Sequence, residues 1–224
     1  MGYSIAIDGP AGAGKSTIAR RIAKSLSFVY VDTGAMYRAI ALHLIRQGVW
    51  PGDSDQIGKV CQEADITIRY QDSEQQVLLN GENVNGLIRT EEVGNMASAS
   101  SVNPKVRLKL VELQRALAAG ADVVMDGRDI GTYVLPDAFV KIYLTASVKT
   151  RANRRYLELQ KKGMECDLAQ ITEDIEERDH RDMTRDFAPL RQAKDAVLVD
   201  TSSMNIEEVV DQILKLYKEK RAKL

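Results

Sequence analysis

The sequence predicts an α/β protein: a doubly wound, five-stranded parallel sheet with helices on both faces, a small antiparallel β insert and a short helical lid. Three observations lead there. Short, near-continuous apolar runs alternate with amphipathic helical patterns, as in parallel sheets whose strands are buried on both faces. The first run ends in a glycine-rich turn that opens directly into a helix, and one stretch interrupts the alternation with an Asn-Gly pair between two β-prone runs.

In chain order, the first strand is 4–8. Behind it comes Gly9-Pro10-Ala11-Gly12-Ala13-Gly14-Lys15-Ser16, which fits G-x-x-x-x-G-K-[S/T] and is followed by Thr17 and a helix with Ile18, Ile22 and Leu26 on one face. In that strand-loop-helix setting the glycines let successive N–H groups face inward, an anion nest at the positive end of the helix. Lys15 reaches β- and γ-phosphates and the Ser16 hydroxyl suits Mg²⁺, so the segment reads as a triphosphate-binding P-loop. Strands follow at 28–32, 122–126, 139–144 and 196–200, and helices at 35–47, 104–119, 148–162, 168–185 and 206–220. Gly163 ends the fourth of these six helical patterns and leaves 164–167 as a short connection. Within 60–99, the runs ITIRYQ, VLLN and ENV around Asn80-Gly81 predict two or three antiparallel strands. The resulting division is a core of 1–59 and 100–224, with a lid at about 151–170, and an insert at 60–99.

The 224 residues are 44% hydrophobic, enough for one large core. Lys and Arg number 31 against 32 Asp and Glu, so no nucleic-acid or membrane partner is indicated. Cys61 and Cys166 stand apart without metal-ligand spacing, which points to a reducing compartment. The chain enters its first strand without a basic-then-apolar leader, and no uninterrupted apolar run approaches roughly 18 residues. A cytoplasmic protein is expected. Without a heptad pattern or charge asymmetry, so is a monomer.

Ligands of such sheets sit beyond the carboxyl ends of the strands, where Asp8, Asp32, Asp126 and Asp200 collect. Three further segments point to anions. In the helix 168–185 the stripe Leu168, Ile171, Ile175 continues into Arg178, Arg181, Asp182 and Arg185, and arginines on an inward face call for an anion among them. The alternative is a solvated face with Arg178–Asp182 and Asp182–Arg185 pairs. After the second strand, Thr33 suits a helix cap and Arg38 lies in the first turns, which fits a second phosphate site or a plain cap with a surface arginine. After 122–126, Asp126 suits Mg²⁺ through water and Arg128 a phosphate, unless Asp126-Gly127-Arg128-Asp129 is an ordinary turn. Arg151, Arg154 and Arg155 form a basic edge on the lid. His43 and His180 read as packing or solvated residues, and Trp50 as a packed loop residue.

Taken together, IDGPAGAGKST, DTGAMYR, DGRDIGT with LPDA, RANRR and ERDHRDMTRDFAPL resemble the bacterial-type cytidylate kinases, a branch of the P-loop nucleoside monophosphate kinases, over nearly the whole chain. The resemblance implies an enzyme that transfers the γ-phosphoryl group of ATP, with Mg²⁺, to CMP or dCMP. It makes 60–99 a monophosphate-binding lobe. It assigns Gly9, Pro10, Ala11, Gly12, Ala13, Gly14, Lys15, Ser16, Thr17 and the lid residue Arg154 to ATP. Arg38, Arg128 and Arg185 would clamp the acceptor phosphate; Thr33, Ser98, Arg107 and Asp129 would read cytosine. Arg178 and Asp182 would address the ribose, with Arg178 also reaching the phosphates. Lys15, Arg128, Arg178 and Arg185 are the implied catalytic set.

Overall fold

In the computed structural model, which describes residues 2–71 and 74–223, the elements follow in the order β1 (Ser4–Asp8), α1 (Lys15–Leu26), β2 (Val29–Asp32), α2 (Thr33–Arg46), α3 (Ser54–Val60), β3 (Ile66–Gln71), β4 (Glu74–Leu79), β5 (Glu82–Asn83), α4 (Glu91–Ser100), α5 (Pro104–Gly120), β6 (Val123–Gly127), β7 (Val140–Thr145), α6 (Val148–Lys161), α7 (Leu168–Thr184), β8 (Val197–Asp200) and α8 (Ile206–Arg221). The five expected sheet strands form within one residue of their predicted ends. They build a five-stranded sheet of order β2-β6-β1-β7-β8. The pairings β6–β1, β1–β7 and β7–β8 are parallel, with Ile7 opposite Asp126 and Ile142. Among the described residues no helix is long and apolar enough to cross a membrane.

Two compact units divide the chain, 29–121 with 1–2, and 3–28 with 122–224. In the second unit α1 packs on β6 and on α8, and α8 packs on β7. Ile5, Ile7, Val123, Val124, Met125, Ile142 and Leu144 are all buried, which is why these strands read as unbroken apolar runs. Aromatic residues are only 5% of the chain, yet Tyr3, Phe28, Phe139 and Tyr217 meet edge to face, with Tyr3–Phe139 centroids 4.9 Å apart and Phe139–Tyr217 5.7 Å apart. These rings tie α8 to the strand ends opposite the glycine-rich loop. Gly163 ends α6 as expected: at φ 71 it donates to Gln160, and Met164 donates to Leu159, the double bond of a Schellman cap.

In the first unit the insert forms an antiparallel sheet of order β3-β4-β5. Asn80 and Gly81, at φ 50 and φ 84, make the two-residue turn that suits the twist of antiparallel strands. Residues 72–73, between β3 and β4, lie outside the described residues. Strands are not all the insert contains: α4 forms at its end, capped by Thr90, whose hydroxyl accepts from the Val93 N–H. With glycine, serine and alanine filling half of α4, its apolar stripe is too thin to show as a period. α3, capped by Asp53, is likewise an addition to the expected elements. Trp50 is not packed as expected; it is 72% exposed, its ring lying over Gly52, where a Cβ would stand 2.0 Å from Trp50 Cζ3.

The phosphate-loop conformation rests on its glycines. Gly9 has φ 151, and a Cβ there would meet the Leu144 carbonyl oxygen at 1.9 Å, whereas Gly14, at φ 89, has open space around it. Gly9→Ala is expected to cost about 3 kcal/mol or more in urea unfolding, and Gly14→Ala about 1 kcal/mol. Equal losses would show that the approach to β7 does not constrain position 9.

Candidate active site

At the carboxyl end of β1 the chain turns through Gly9, Gly12 and Gly14, the last a left-handed residue at the N-cap of α1. This backbone places Lys15 in the first turn of the helix, buried, with its Nζ donating to the Pro10 carbonyl at 2.6 Å. Burial, seconded by the charge of Arg128 and Arg178, pulls the Lys15 ammonium down to about 7, although Asp126 and Asp182 act to raise it. The Ser16 hydroxyl donates to Asp126 Oδ2 at 2.9 Å, so the buried carboxylate at the end of β6 meets the loop hydroxyl as the sequence pattern requires. Thr17 is exposed on the next position of α1.

Beyond β6 come Arg128 and Asp129, then a wide helical turn, Ile130–Val134. Asp8 fixes that turn: it accepts the Ile130 and Gly131 N–H groups, each at 2.7 Å. Burial nevertheless pushes its carboxyl up to about 6, with the backbone bonds and Lys15 opposing and Asp129 reinforcing the rise. Position 131 has little room for a side chain, since a Cβ would lie 3.2 Å from Lys141 Cδ and 3.3 Å from Asp8 Oδ2.

The basic stripe of α7 is inward, but it runs differently from the expectation. Leu168 is 39% exposed and Arg181 is exposed, while Ile171, Asp179 and Asp182 are buried. Spacing of four from Ile171 and Ile175 leads to Asp179, so carboxylates share the face with Arg178 and Arg185. They supply the anions that inward arginines need. Arg128 Nε donates to Asp182 Oδ2 at 2.7 Å. Arg185 lies 3.7 Å from Asp182 and 3.6 Å from Asp129, and its Nε and Nη2 both donate to the Ala188 carbonyl at 2.9 and 2.6 Å. Ala188 has φ 47, a backbone strain that aims this carbonyl at the guanidinium. Burial acts to raise the Asp182 carboxyl, yet Arg128, Arg178 and Arg185 hold it below the usual carboxylate range. Arg128, with burial opposed by Asp182, Asp126 and Asp179, is held firmly charged.

In the other unit α2 packs against α4 and α5, which brings together Thr33 and Arg38, Ser98, and Arg107. Thr33 is buried but is not the cap; Asp32 is, accepting from the Ala35 N–H at 2.9 Å while pairing with Arg89 at 2.7 Å. Arg38 donates to the Ile88 carbonyl at 3.2 Å, across Gly94, whose missing Cβ leaves the guanidinium room. Arg107, 1% exposed, lies 5.6 Å over the Tyr37 ring and donates to the Ser101 carbonyl. Ser98 is buried.

A family model described as "Cytidylate kinase" matches residues 5–219. The chain belongs to the cytidylate kinase family. A relative from Caldicellulosiruptor saccharolyticus, named cytidylate kinase, is 50% identical over 96% of this chain and 95% of its own. Another of that name from Desulfitobacterium hafniense is 51% identical over 96% of this chain and 93% of its own. The crystal structure of an uncharacterized protein from Eubacterium ventriosum shares the fold at TM-score 0.55, with 12% identity, over 96% of this chain and 98% of that one.

The three arginines of α6 expected to form a basic edge are placed unevenly in this family member. Arg154 donates to Thr201 through both its carbonyl, at 2.7 Å, and its hydroxyl, at 3.1 Å, and Arg155 pairs with Glu158 on the surface. Arg151 is not part of a basic edge at all: it is buried against the loop and pairs with Asp179 at 2.6 Å. Of the strand-end carboxylates, Asp200 is exposed and bonds only to Ser202 among the described residues. Sequence reading missed Asp179 and the Arg151–Asp179 pair, whose partners are 28 positions apart. The spacing of four along α7 was the available signal.

Removing the Asp182 carboxylate takes from Arg128 its hydrogen-bonded partner and from Arg185 one of its two neighbouring carboxylates. Asp182→Ala is expected to cost about 3 kcal/mol in denaturant unfolding at neutral pH. Since the folded carboxyl is depressed, the wild-type advantage is full above the unfolded value, 3.8, and vanishes as pH falls through the folded one. A variant as stable as wild type at pH 7 would contradict the pairing.

Proposed function

We propose that this chain transfers the γ-phosphoryl group of ATP to CMP or dCMP, giving ADP and the cytidine diphosphate. The observation that carries the reading is that the loop and the arginines meet at the end of β6: Ser16 of the loop donates to Asp126 at 2.9 Å, and two residues on, Arg128 donates to Asp182 of α7 at 2.7 Å. A triphosphate needs the lysine and the loop; a second, anionic phosphate needs the arginines. Phosphoryl transfer demands that two mutually repelling phosphates be held in line and their charge neutralised. The acceptor is already ionised, so no general base is required. One oxygen of the acceptor phosphate forms a bond to the γ-phosphorus as the bond to the β,γ-bridging oxygen breaks, and the electron pair leaves with ADP.

In this reading Gly9 to Thr17 hold the ATP phosphates, Lys15 takes the β- and γ-oxygens, and Arg154 covers the donor. Arg38, Arg128 and Arg185 receive the acceptor phosphate, and Arg178 with Asp182 the ribose and the developing charge. Thr33, Ser98, Arg107 and Asp129 read the base. Cytosine presents an amino donor where uracil has an oxygen, so a buried carboxylate acceptor is left mispaired by UMP.

The oxygen-only pair of Ser16 and Asp126 suits Mg²⁺, a hard cation that keeps several waters and takes few protein ligands. Ser16 would ligate it directly and Asp126 through water. Bound there, the ion supplies positive charge to the β- and γ-phosphates.

A coupled assay over CMP, dCMP, UMP, AMP, GMP and dTMP tests the assignment. CMP and dCMP should exceed every other acceptor in kcat/KM by about a hundredfold or more. Asp129→Ala should shrink the CMP over UMP ratio by about tenfold. A different monophosphate at the head of the series, or an unchanged ratio in the variant, refutes the substrate or the residue respectively.

A further inference from the structure

The phosphate loop is held from outside by a charge pair that the proposed transfer does not itself require. Arg151, on α6, is an interior arginine with its side chain 4% exposed. Its Nε donates to the Ala146 carbonyl at 2.9 Å, its Nη1 to the Ala11 carbonyl at 3.1 Å, and its Nη2 to Asp179 Oδ2 at 2.6 Å. The stem of the same side chain lies against Gly12, where an added Cβ would come within 3.3 Å of Arg151 Cβ.

A loop that aims its N–H groups inward at phosphate turns carbonyls outward, and an outward carbonyl in the protein interior needs a donor. At Ala11 that donor is Arg151. A guanidinium in this place would be costly alone, and Asp179 both neutralises it and, through one arm of the fork, sets the direction of the arm that reaches the loop. Asp179 Oδ1 is buried and has no hydrogen-bond partner among the described residues. An ion pair satisfied on one side only adds little to stability over a well-packed apolar pair.

We propose that Arg151 and Asp179 are positioning residues for the donor site: Arg151 holds the Ala11 carbonyl outward, Asp179 holds Arg151, and the loop N–H groups are thereby preset for a triphosphate. The proposal rests on the reading of the loop as the ATP site. It links that loop to α7, the helix that also carries Arg178 and Asp182.

The test compares wild type with Asp179→Asn, Arg151→Lys and the double apolar variant Arg151→Met/Asp179→Leu. Calorimetry with Mg²⁺ measures binding of ATP, of inorganic tripolyphosphate and of CMP, and thermal unfolding is followed in parallel. The expected result is about a tenfold loss of affinity for ATP and for tripolyphosphate alike in every variant. CMP affinity should stay within about twofold, with the double variant unfolding near the wild-type temperature. Three results overturn the proposal: unchanged ATP affinity in a folded variant, equal losses for ATP and CMP, or a loss confined to ATP while tripolyphosphate binds normally. The last would make Arg151 a contact of the base. Wild type that binds tripolyphosphate but not CMP would instead sink the acceptor assignment and leave the positioning role standing.

Discussion

A cluster of buried cations interleaved with buried carboxylates is the constraint around which this protein is arranged. Lys15, Arg128, Arg151 and Arg185 are all largely withdrawn from water, and Asp126, Asp129, Asp179 and Asp182 stand among them. Neither set would be tolerable without the other, since an unpaired buried charge costs several kcal/mol. Burial is still the largest influence on two of these groups, pulling the Lys15 ammonium down to about 7 and pushing the Asp8 carboxyl up to about 6. In the proposed transfer, bound phosphates would add the negative charge that restores the Lys15 ammonium.

Each charged group reaches the cluster by a local rule. Parallel strands end on one rim, which delivers Asp8 from β1 and Asp126 from β6 next to each other, with Ile7 and Asp126 in register. The glycines of the loop permit a backbone in which Lys15 and Ser16 begin a helix directly above that rim. The turn of 130–134 is pinned to Asp8 through two N–H groups, which sets the direction of Arg128 and Asp129 just before it. Helix α7 contributes a face on which carboxylates and arginines alternate at helical spacing, and Ala188 accepts strain to hold Arg185.

What could be read from the residues alone follows from the range of the interactions involved. The strands of the parallel sheet, the loop and the turn at Asn80-Gly81 are local patterns and appear within a residue of where they are expected, whereas β4 begins three residues before the run VLLN. α4 was not visible because half of it is glycine, serine and alanine, and α3 because seven residues are too few to show an apolar period. Thr33 looked like a cap because it is a hydroxyl at a helix start, but Asp32 one position earlier is the stronger acceptor and also pairs with Arg89. The inward face of α7 was half visible. Arginines at the right spacing signal an anion, and Asp182 does pair with Arg185 as the alternative reading has it, but on a buried face and not a solvated one; Asp179, four residues after Ile175, is the carboxylate that reading omits. Trp50 was misplaced because large aromatic residues are usually covered, and here the ring lies over Gly52 and stays exposed.

The claim that phosphate completes the charge balance of the cluster is tested most directly by proton linkage. At pH 8 a lysine with a pKa of about 7 is mostly neutral, and a triphosphate beside it favours the charged form and raises that pKa. Calorimetry of Mg²⁺–ATP binding in buffers of different ionisation enthalpy should therefore record net proton uptake approaching one proton at pH 8, with affinity falling as pH rises above about 7. No uptake, together with an affinity that is flat between pH 7 and 9, would mean that Lys15 is fully charged before the nucleotide binds and that the cations are balanced by the protein alone.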